Sequence, residues 1–155
     1  MDEDWKLPWE GGCRCGAVRF RISGPPLMSA VCHCRGCQRM TGSAFSTTLF
    51  VPEDGFALLA GETVLGGAMP ADARHHHCDS CKGWVFTTAE PSMGFVNVRA
   101  TLLDDAAWFA PFIETQTAEK LPWASTPAVH SYERFPQPAD FPALIAEHAE
   151  RGARP

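Results

Sequence analysis

The stretch GGCRCGAVRF, residues 11–20, places two cysteines two positions apart, directly before an alternating pattern of apolar and charged residues. In an extended backbone, residues i and i+2 point to the same side, so Cys13 and Cys15 can present both sulfurs to one metal ion. The segment CDSC, residues 78–81, brackets a tight turn with a CxxC pair, the commonest half of a zinc site. A closed tetrahedral zinc site that crosslinks two distant parts of the chain is therefore predicted, with the ligands Cys13, Cys15, Cys78 and Cys81.

Two other interpretations of these four cysteines stay open. They could be buried without a metal, or Cys78 and Cys81 could form a redox pair. The redox interpretation lacks its usual context, a CxxC that opens the helix of a βαβ unit. A zinc site closing so long a loop contributes on the order of 10 kcal/mol of apparent folding free energy, so metal-free protein is expected to be partly unfolded.

A second cysteine group lies in CHCRGCQRMTG, residues 32–42. Cys32, Cys34 and Cys37 combine the CxC and CxxC spacings, so three sulfurs can reach one ion. Three protein ligands with a free fourth position are typical of catalytic zinc, whereas four protein ligands are typical of structural zinc. We therefore expect a second, catalytic zinc ion at Cys32, Cys34 and Cys37.

The surroundings of this group bear on its charge and on its fourth ligand. The group follows a break in the pattern at GPPLMSAV, residues 24–31, and Arg35 and Arg39 would offset the roughly −1 net charge of zinc with three thiolates. His33 points away from its cysteine neighbours in an extended backbone, which favours a place beside the ligands or at the surface. Closure of the site by His75, His76 or His77 stays open, as does pairing with the CxxC at 78–81.

Composition limits the classes of function. The chain has 155 residues with a formal net charge of −5, and its basic residues are scattered, which argues against nucleic acid as a partner. The acidic N-terminus lacks the apolar run of a signal peptide, and no stretch reaches the roughly 20 apolar residues of a membrane span. A cytoplasmic protein is predicted, in which seven cysteines are better explained as ligands than as disulfides.

Short alternating segments predict a single, mainly β domain over residues 1–155, with a core at about 9–135. Helical signals are limited to the segment before Gly42, a turn at DDAAWF (104–109) and a tail helix over about 140–153 that Asp140 can cap. Trp123 is expected in the core or at a strand edge. The predicted strands are AVRFRI (17–22), SAFSTTLFVP (43–52), GFALLAG (55–61), ETVLGG (62–67), GWVFTT (83–88) and GFVNVRA (94–100).

The motifs GGCRCGAVRF, CHCRGCQRMTGSAF and CDSCKGWVF, in this order and followed by TLLDD and KLPWA, resemble the glutathione-dependent formaldehyde-activating enzymes. This family also includes centromere protein V, and the resemblance covers about residues 9–135. It implies a zinc-bound β-tent fold of short antiparallel strands, with one structural and one catalytic zinc ion on the same two cysteine groups. The implied reaction is the addition of glutathione, as co-substrate, to formaldehyde to give S-hydroxymethylglutathione, the chemistry of a carbon–sulfur lyase.

Contacts with the substrate follow from this resemblance as expectations. Arg35 and Arg39, or Arg14 near the other cysteine group, could pair with the carboxylates of glutathione. The pocket would be lined by Thr41, Gly42, Ser43 and Phe45, with Gly42 allowing a close approach of the backbone, although Phe45 also fits a plain core position.

The sequence departs from the family pattern at two places. Lys82 follows the last cysteine where the family usually has glycine, with Gly83 one position later. The segment RATLLDD keeps Asp104 and Asp105 but lacks the preceding glycine. Capping of a short helix is sufficient to explain the two aspartates.

Other classes of function remain to be compared with the enzyme. A zinc-stabilised binding module of the same fold, without chemistry, predicts that a protein side chain closes the second site. Methionine sulfoxide reduction needs a thiol free of metal, and all seven cysteines are assigned to zinc. Zinc deamination requires an HxE and PCxxC pattern that the sequence does not contain. No pattern fixes the thiol, the aldehyde or the oligomeric state.

Overall fold

The alternating segments of the sequence form the strands of two β-sheets. The computed structural model describes residues 3–68 and 71–155. Its helices are α1 Arg35–Thr41 and α2 Phe141–Arg151, so the prediction of a mainly β protein is confirmed. The strands are β1 Trp9–Gly12, β2 Arg19–Ile22, β3 Met28–Cys32, β4 Ser46–Pro52, β5 Phe56–Ala60, β6 Thr63–Leu65, β7 Ala73–Cys78, β8 Trp84–Ala89, β9 Phe95–Val98, β10 Ile113–Thr115 and β11 His130–Ser131.

The two sheets differ in size and in strand direction. Strands β1, β2 and β5 form an antiparallel sheet, and the other eight follow the order β11-β10-β3-β4-β9-β8-β7-β6. Strand β10 lies parallel to both β3 and β11, which differs from the expected antiparallel arrangement. Parallel neighbours need long connections, and the chain between β3 and β10 and between β10 and β11 provides them.

The larger apolar core joins residues of both sheets. The apolar residues that alternate with Arg19 and Arg21 in the sequence face the core, because Phe20 and Ile22 are completely buried, as is Val18 just before the strand. They pack in one cluster with residues of β4, β8 and β9, including Leu49 and Val98. Burial of apolar surface between the sheets is the main favourable contribution to their association.

Strand β3 was not predicted. The segment 24–31 looks like a break in the sequence, yet Met28–Cys32 pairs with both β4 and β10. Ser29 is buried in this strand. Its hydroxyl donates a hydrogen bond to the carbonyl of Ala110 at 3.1 Å, which compensates for the burial of a polar group. This strand leads directly into the second cysteine group.

The C-terminal helix α2 covers a smaller core. Leu144 and His148 lie about one turn apart and are both buried, and Leu144 packs with Phe112. The predicted cap is wrong: Asp140 accepts no bond from α2, and its carboxylate accepts from the backbone N–H of Gln137 at 3.3 Å. A short 3-10 turn precedes the helix and moves Asp140 into its own hydrogen-bonded turn.

Two further expectations are overturned. Asp104 does not cap a helix, because its carboxylate accepts from the guanidinium of Arg19, with 2.9 Å between Nη1 and Oδ1. This ion pair ties β2 to the segment that follows β9. Trp123 lies on the surface, with 73% of its area exposed, and therefore is neither core nor edge plug.

The helices of the described residues are short. With 11 residues, α2 extends about 16 Å, roughly half of the apolar thickness of a bilayer. No described helix is both long and apolar enough to cross a membrane. The division into domains and the cellular compartment stay predictions.

His148 makes stability depend on pH. Its ring stacks on Trp5 at 5.7 Å, and neither ring nitrogen has a hydrogen-bond partner among the described residues. Burial, assisted by the charge of Arg154, lowers the pKa of His148 to about 4 from 6.5. The unfolded chain therefore takes up a proton near pH 6.5 that the folded chain accepts only near pH 4, so stability falls as pH drops through this window.

We predict that His148→Leu removes this contribution. Between pH 7 and pH 5, the wild-type free energy of unfolding should fall by about 2 kcal/mol more than that of the variant. Urea unfolding of both proteins, loaded with zinc at each pH, measures the difference. An identical pH dependence in the two proteins would contradict the prediction.

Candidate metal centres

Four cysteines meet where a turn of the three-stranded sheet approaches a turn of the eight-stranded sheet. Cys13 and Cys15 follow β1, whereas Cys78 ends β7 and Cys81 precedes β8. All four sulfur atoms lie within 4.8 Å of one another, with 3.5 Å between Cys13 and Cys15. Four cysteine sulfurs are a donor set that tetrahedral zinc prefers, so the residues fit the predicted structural ion.

The first pair of cysteines lies on a turn rather than on an extended segment. The N–H of Gly16 donates to the carbonyl of Cys13 at 3.0 Å, and Gly16 has a φ of 80°. A left-handed conformation at this position costs glycine nothing, whereas a residue with a side chain would be strained there. The turn, and not the pleat of a strand, aims the sulfurs of Cys13 and Cys15 together.

Backbone N–H groups surround the second pair. The N–H groups of Ser80 and Cys81 donate to the sulfur of Cys78 at 3.3 and 3.4 Å. Hydrogen bonds from the backbone of Gly83 and Cys15 lower the pKa of Cys81 to about 6. Such donors stabilise thiolates, and the thiolate is the form that binds zinc.

Lys82 occupies a position that suits glycine. It follows Cys81 with a φ of 60°, in the left-handed region. Its Nζ lies 3.0 Å from the carboxylate of Asp79, an exposed pair. The departure from the family pattern therefore leaves the turn formed, but with a residue that is strained in this conformation.

The three other cysteines surround the start of α1. Cys32 ends β3, Cys34 is the N-cap of α1, and Cys37 lies in its first turn. Their sulfurs lie within 4.8 Å of one another, and the sulfur of Cys34 accepts from the N–H of Cys37 at 3.2 Å. The expected helix is confirmed, and Gly42 ends it with a φ of 65°.

The protons of these three thiols are not independent. Hydrogen bonds from Cys32 and Cys37 lower the pKa of Cys34 to about 2. The pKa of Cys37 is raised by its bond to Cys32, and that of Cys32 by its bond to Cys34. Three sulfurs that compete for the same protons are close enough for one cation to replace those protons, so they too fit a zinc ion.

No fourth ligand joins this group among residues 3–68 and 71–155. Nδ1 of His75 lies 2.9 Å from the hydroxyl of Thr87, whereas His76 contacts two threonine hydroxyls and stacks on Phe86. Nδ1 of His77 lies 3.2 Å from the carbonyl of His75. None of the three histidines joins the cysteine group as a ligand, although the charge of Cys34 acts on His75.

His33 is not at the surface. It is completely buried beside the cysteines, and its Nε2 lies 3.5 Å from Oε1 of Glu114, which is also buried. Burial lowers the pKa of His33. The expectation that it points away from the sulfurs agrees with its absence from the cysteine group, whereas an exposed position is excluded.

A cleft of about 480 Å³ lies beside α1. The predicted residues Thr41, Ser43 and Phe45 are among those that line it. Arg35 and Arg39 lie on the exposed side of α1, where Arg35 contacts the side chain of Gln38. These two arginines, Arg14 and Gly42 are not among the residues that line the cleft in the described structure, and their roles stay predictions. The full lining is Met40, Thr41, Ser43, Phe45, Thr47, Gly83, Trp84, Arg99, Thr101 and Leu102.

Sequence reasoning missed Arg99. Only 7% of this residue is exposed, and its guanidinium lies 3.8 Å from the centre of the Trp84 ring. Burial lowers its pKa to about 10, while the charges of Cys37 and Cys32 oppose that change. A lone arginine at the end of a strand carries no motif, and only the folded chain brings it to the cleft and the cysteines.

Comparison with known proteins agrees with these motifs. The family model described as glutathione-dependent formaldehyde-activating enzyme matches residues 8–119. A protein of Halomonas elongata with the provisional name glutathione-dependent formaldehyde-activating enzyme is 30% identical over 95 residues, which are 54% of this chain and 59% of that protein. The match thus spans less than two thirds of that relative's length.

A solved structure shares the fold. The crystal structure of a Rhodobacter sphaeroides protein aligns with a TM-score of 0.51 at 19% identity, over 61% of this chain and 87% of that one. At this identity the likeness concerns the arrangement of the backbone alone.

We predict that the two cysteine groups respond differently to substitution. Cys37→Ala should lower zinc content from two ions to one and leave the fold intact. Cys78→Ala should remove the crosslink between the sheets and destabilise the protein by several kcal/mol, because structural zinc contributes on the order of 10 kcal/mol. Metal analysis and thermal unfolding of the two variants measure both effects. Retention of two ions by Cys37→Ala would contradict the assignment.

Lys82→Gly should stabilise the protein. Removal of the side chain relieves a left-handed conformation that costs a residue with a Cβ about 1 kcal/mol, and the ion pair that is lost is exposed. Urea unfolding measures the gain, with Asp79→Ala as the control that removes the same ion pair without changing the backbone. Equal stability of Lys82→Gly and Asp79→Ala would contradict the strain.

Proposed function

The chain belongs to the glutathione-dependent formaldehyde-activating enzyme family, and from this membership we propose that it adds glutathione to formaldehyde, or to a related small aldehyde, at the three-cysteine group. The product with formaldehyde is S-hydroxymethylglutathione. The same enzyme would cleave this product in reverse, which is the reaction of a carbon–sulfur lyase. Its partners would be small molecules, a thiol and an aldehyde.

The contrast between the two cysteine groups supports the proposal most directly. One group offers four sulfurs, while the other offers three, without a further ligand atom from the described residues. A closed set of ligands suits a structural ion, whereas three ligands leave a position for a substrate. The group with three sulfurs also lies near the cleft, because Thr41 and Ser43 line the cleft shortly after Cys37, as does Arg99, whose charge interacts with Cys37 and Cys32.

The chemistry is balanced without an oxidant or a reductant. The carbon–sulfur bond forms between the thiol sulfur and the aldehyde carbon, the carbonyl π bond opens, and the thiol proton ends on the aldehyde oxygen. A zinc ion held by Cys32, Cys34 and Cys37 would lower the pKa of the incoming thiol and so supply the nucleophilic thiolate at neutral pH.

The residues of the chain contribute binding and orientation. Phe45, Trp84 and Leu102 line the cleft with apolar surface, which excludes water from the reacting thiolate. The hydroxyls of Ser43 and Thr47 can donate to the aldehyde oxygen as it takes on negative charge. Cys34 accepts a backbone hydrogen bond that fixes its sulfur at the start of α1.

The alternative, a binding module without chemistry, has less support. It predicts that a protein side chain closes the second site, with the run of histidines before Cys78 as the source. These histidines contact threonine hydroxyls, aromatic rings and a carbonyl instead.

The proposed activity is tested by the rate at which free glutathione and its formaldehyde adduct exchange. Because thiols add to formaldehyde spontaneously, NMR exchange spectroscopy should follow free glutathione and its hydroxymethyl adduct at equilibrium, with and without protein. Zinc-loaded wild type should accelerate exchange in proportion to its concentration, and Cys37→Ala should lose roughly 100-fold or more of that acceleration. Exchange no faster than in buffer would reject the function, provided that the wild type holds two zinc ions.

A further inference from the structure

Arg99 is a buried cation that pairs with no carboxylate of the described residues. Its Nε has no hydrogen-bond partner, and no carboxylate of residues 3–68 and 71–155 forms an ion pair with it. Burial of a charge costs several kcal/mol unless an opposite charge or hydrogen bonds compensate for it. Among the described groups, the nearby sulfurs of Cys37 and Cys32 and the face of the Trp84 ring favour its positive charge.

The Trp84 ring holds the guanidinium of Arg99 in place. It lies over the Trp84 ring, and Nε1 of Trp84 donates to the hydroxyl of Thr87 at 2.9 Å, which fixes the ring. The backbone N–H of Arg99 donates to the carbonyl of Val85 at 3.1 Å. A cation whose backbone is anchored and whose flat face rests on a fixed ring is already oriented for a ligand and loses little freedom when one binds.

The lining of the cleft suits an anion. Beside Arg99 it contains the hydroxyls of Thr41, Ser43, Thr47 and Thr101, and no aspartate or glutamate among the described residues. Its volume of about 480 Å³ is within the range of small-molecule sites and much larger than a one-carbon aldehyde requires. Most of the cleft is therefore available to the body of the thiol substrate.

We propose that Arg99 binds a carboxylate of the thiol substrate and thereby makes the cleft selective for thiols that carry one. The guanidinium group can donate two parallel hydrogen bonds to a carboxylate. A ligand hydroxyl cannot accept this pair of bonds, and a lysine ammonium in place of the guanidinium cannot donate it. This inference rests on the proposed function and names the residue that recognises its substrate. It also gives the carboxylate an arginine inside the cleft, where Arg35 and Arg39 do not lie.

The first test uses the unmodified protein and two pairs of ligands. Calorimetric titration of zinc-loaded wild type should compare 3-mercaptopropionate with 2-mercaptoethanol, which differ in the terminal carboxylate, and glutathione with its diethyl ester, in which both carboxylates are blocked. The acid of at least one pair should bind roughly 10- to 100-fold more tightly than its counterpart without a carboxylate, as expected for a charged hydrogen bond. Equal affinities within both pairs would overturn the inference.

The second test removes the guanidinium. Arg99→Met should abolish the preference for the acid, because the affinity for 3-mercaptopropionate falls much more than that for 2-mercaptoethanol, while Arg99→Lys should retain part of the preference. Arg21→Met, a change of an exposed arginine on the other sheet, is the matched control. Zinc content and circular dichroism establish that each variant is folded. If Arg99→Met does not fold, Arg99→Lys is used in its place to test the preference for the acid.

A competing role for Arg99 gives a different result. If the guanidinium stabilised only the negative charge that develops on the aldehyde oxygen, Arg99→Met would lower kcat for every thiol equally and leave the binding preference unchanged. That result would overturn the inference.

The outcomes also separate this inference from the proposed function. Thiols that bind without preference, and are still converted, would reject the role of Arg99 alone. Selective binding of carboxylate thiols without accelerated exchange would support Arg99 and reject the enzyme. Failure of every thiol to bind would reject both.

Discussion

The convergence of four sulfurs at the junction of the two sheets is the constraint on which the rest of the structure depends. Cys13 and Cys15 follow β1 of the smaller sheet, while Cys78 ends β7 and Cys81 precedes β8 of the larger one, more than 60 residues away in sequence. Four thiolates so close repel one another unless a cation lies between them. If zinc binds there as we expect, the ion both permits this approach and holds the turns at the edge of the main apolar core.

The two cysteine groups show how one type of residue can serve two purposes. The first group joins two turns that are distant in sequence, so its four ligands come from both sheets. The second comes from one segment, in which β3 ends at Cys32 and α1 begins at Cys34. That segment supplies three sulfurs, and its histidine, His33, is buried beside Glu114 and does not join them. Substrate chemistry is proposed where the ligand set is incomplete.

Charge links the second group to the cleft. Three thiolates and one zinc ion carry roughly −1 net charge, and an incoming thiolate would raise that to about −2. A nearby cation stabilises such charge, and Arg99 is the described arginine that lies within the cleft lining. Its position over Trp84 therefore suits both the proposed metal site and the proposed carboxylate ligand.

The sequence by itself determined the cysteine groups, the mainly β fold, six of the eleven strands and both helices, because spacing and alternation are local properties of the chain. It could not identify β3, because Pro25, Pro26 and Ser29 are typical of a break in the strand pattern. The strand is recognised only from its pairing with β4 and β10. Nor could it place Trp123 at the surface or pair Asp104 with Arg19. Only the tertiary structure decided that the histidine run supplies no ligand to the three-cysteine group and that Arg99 enters the cleft, because both depend on contacts between strands that local pattern does not encode.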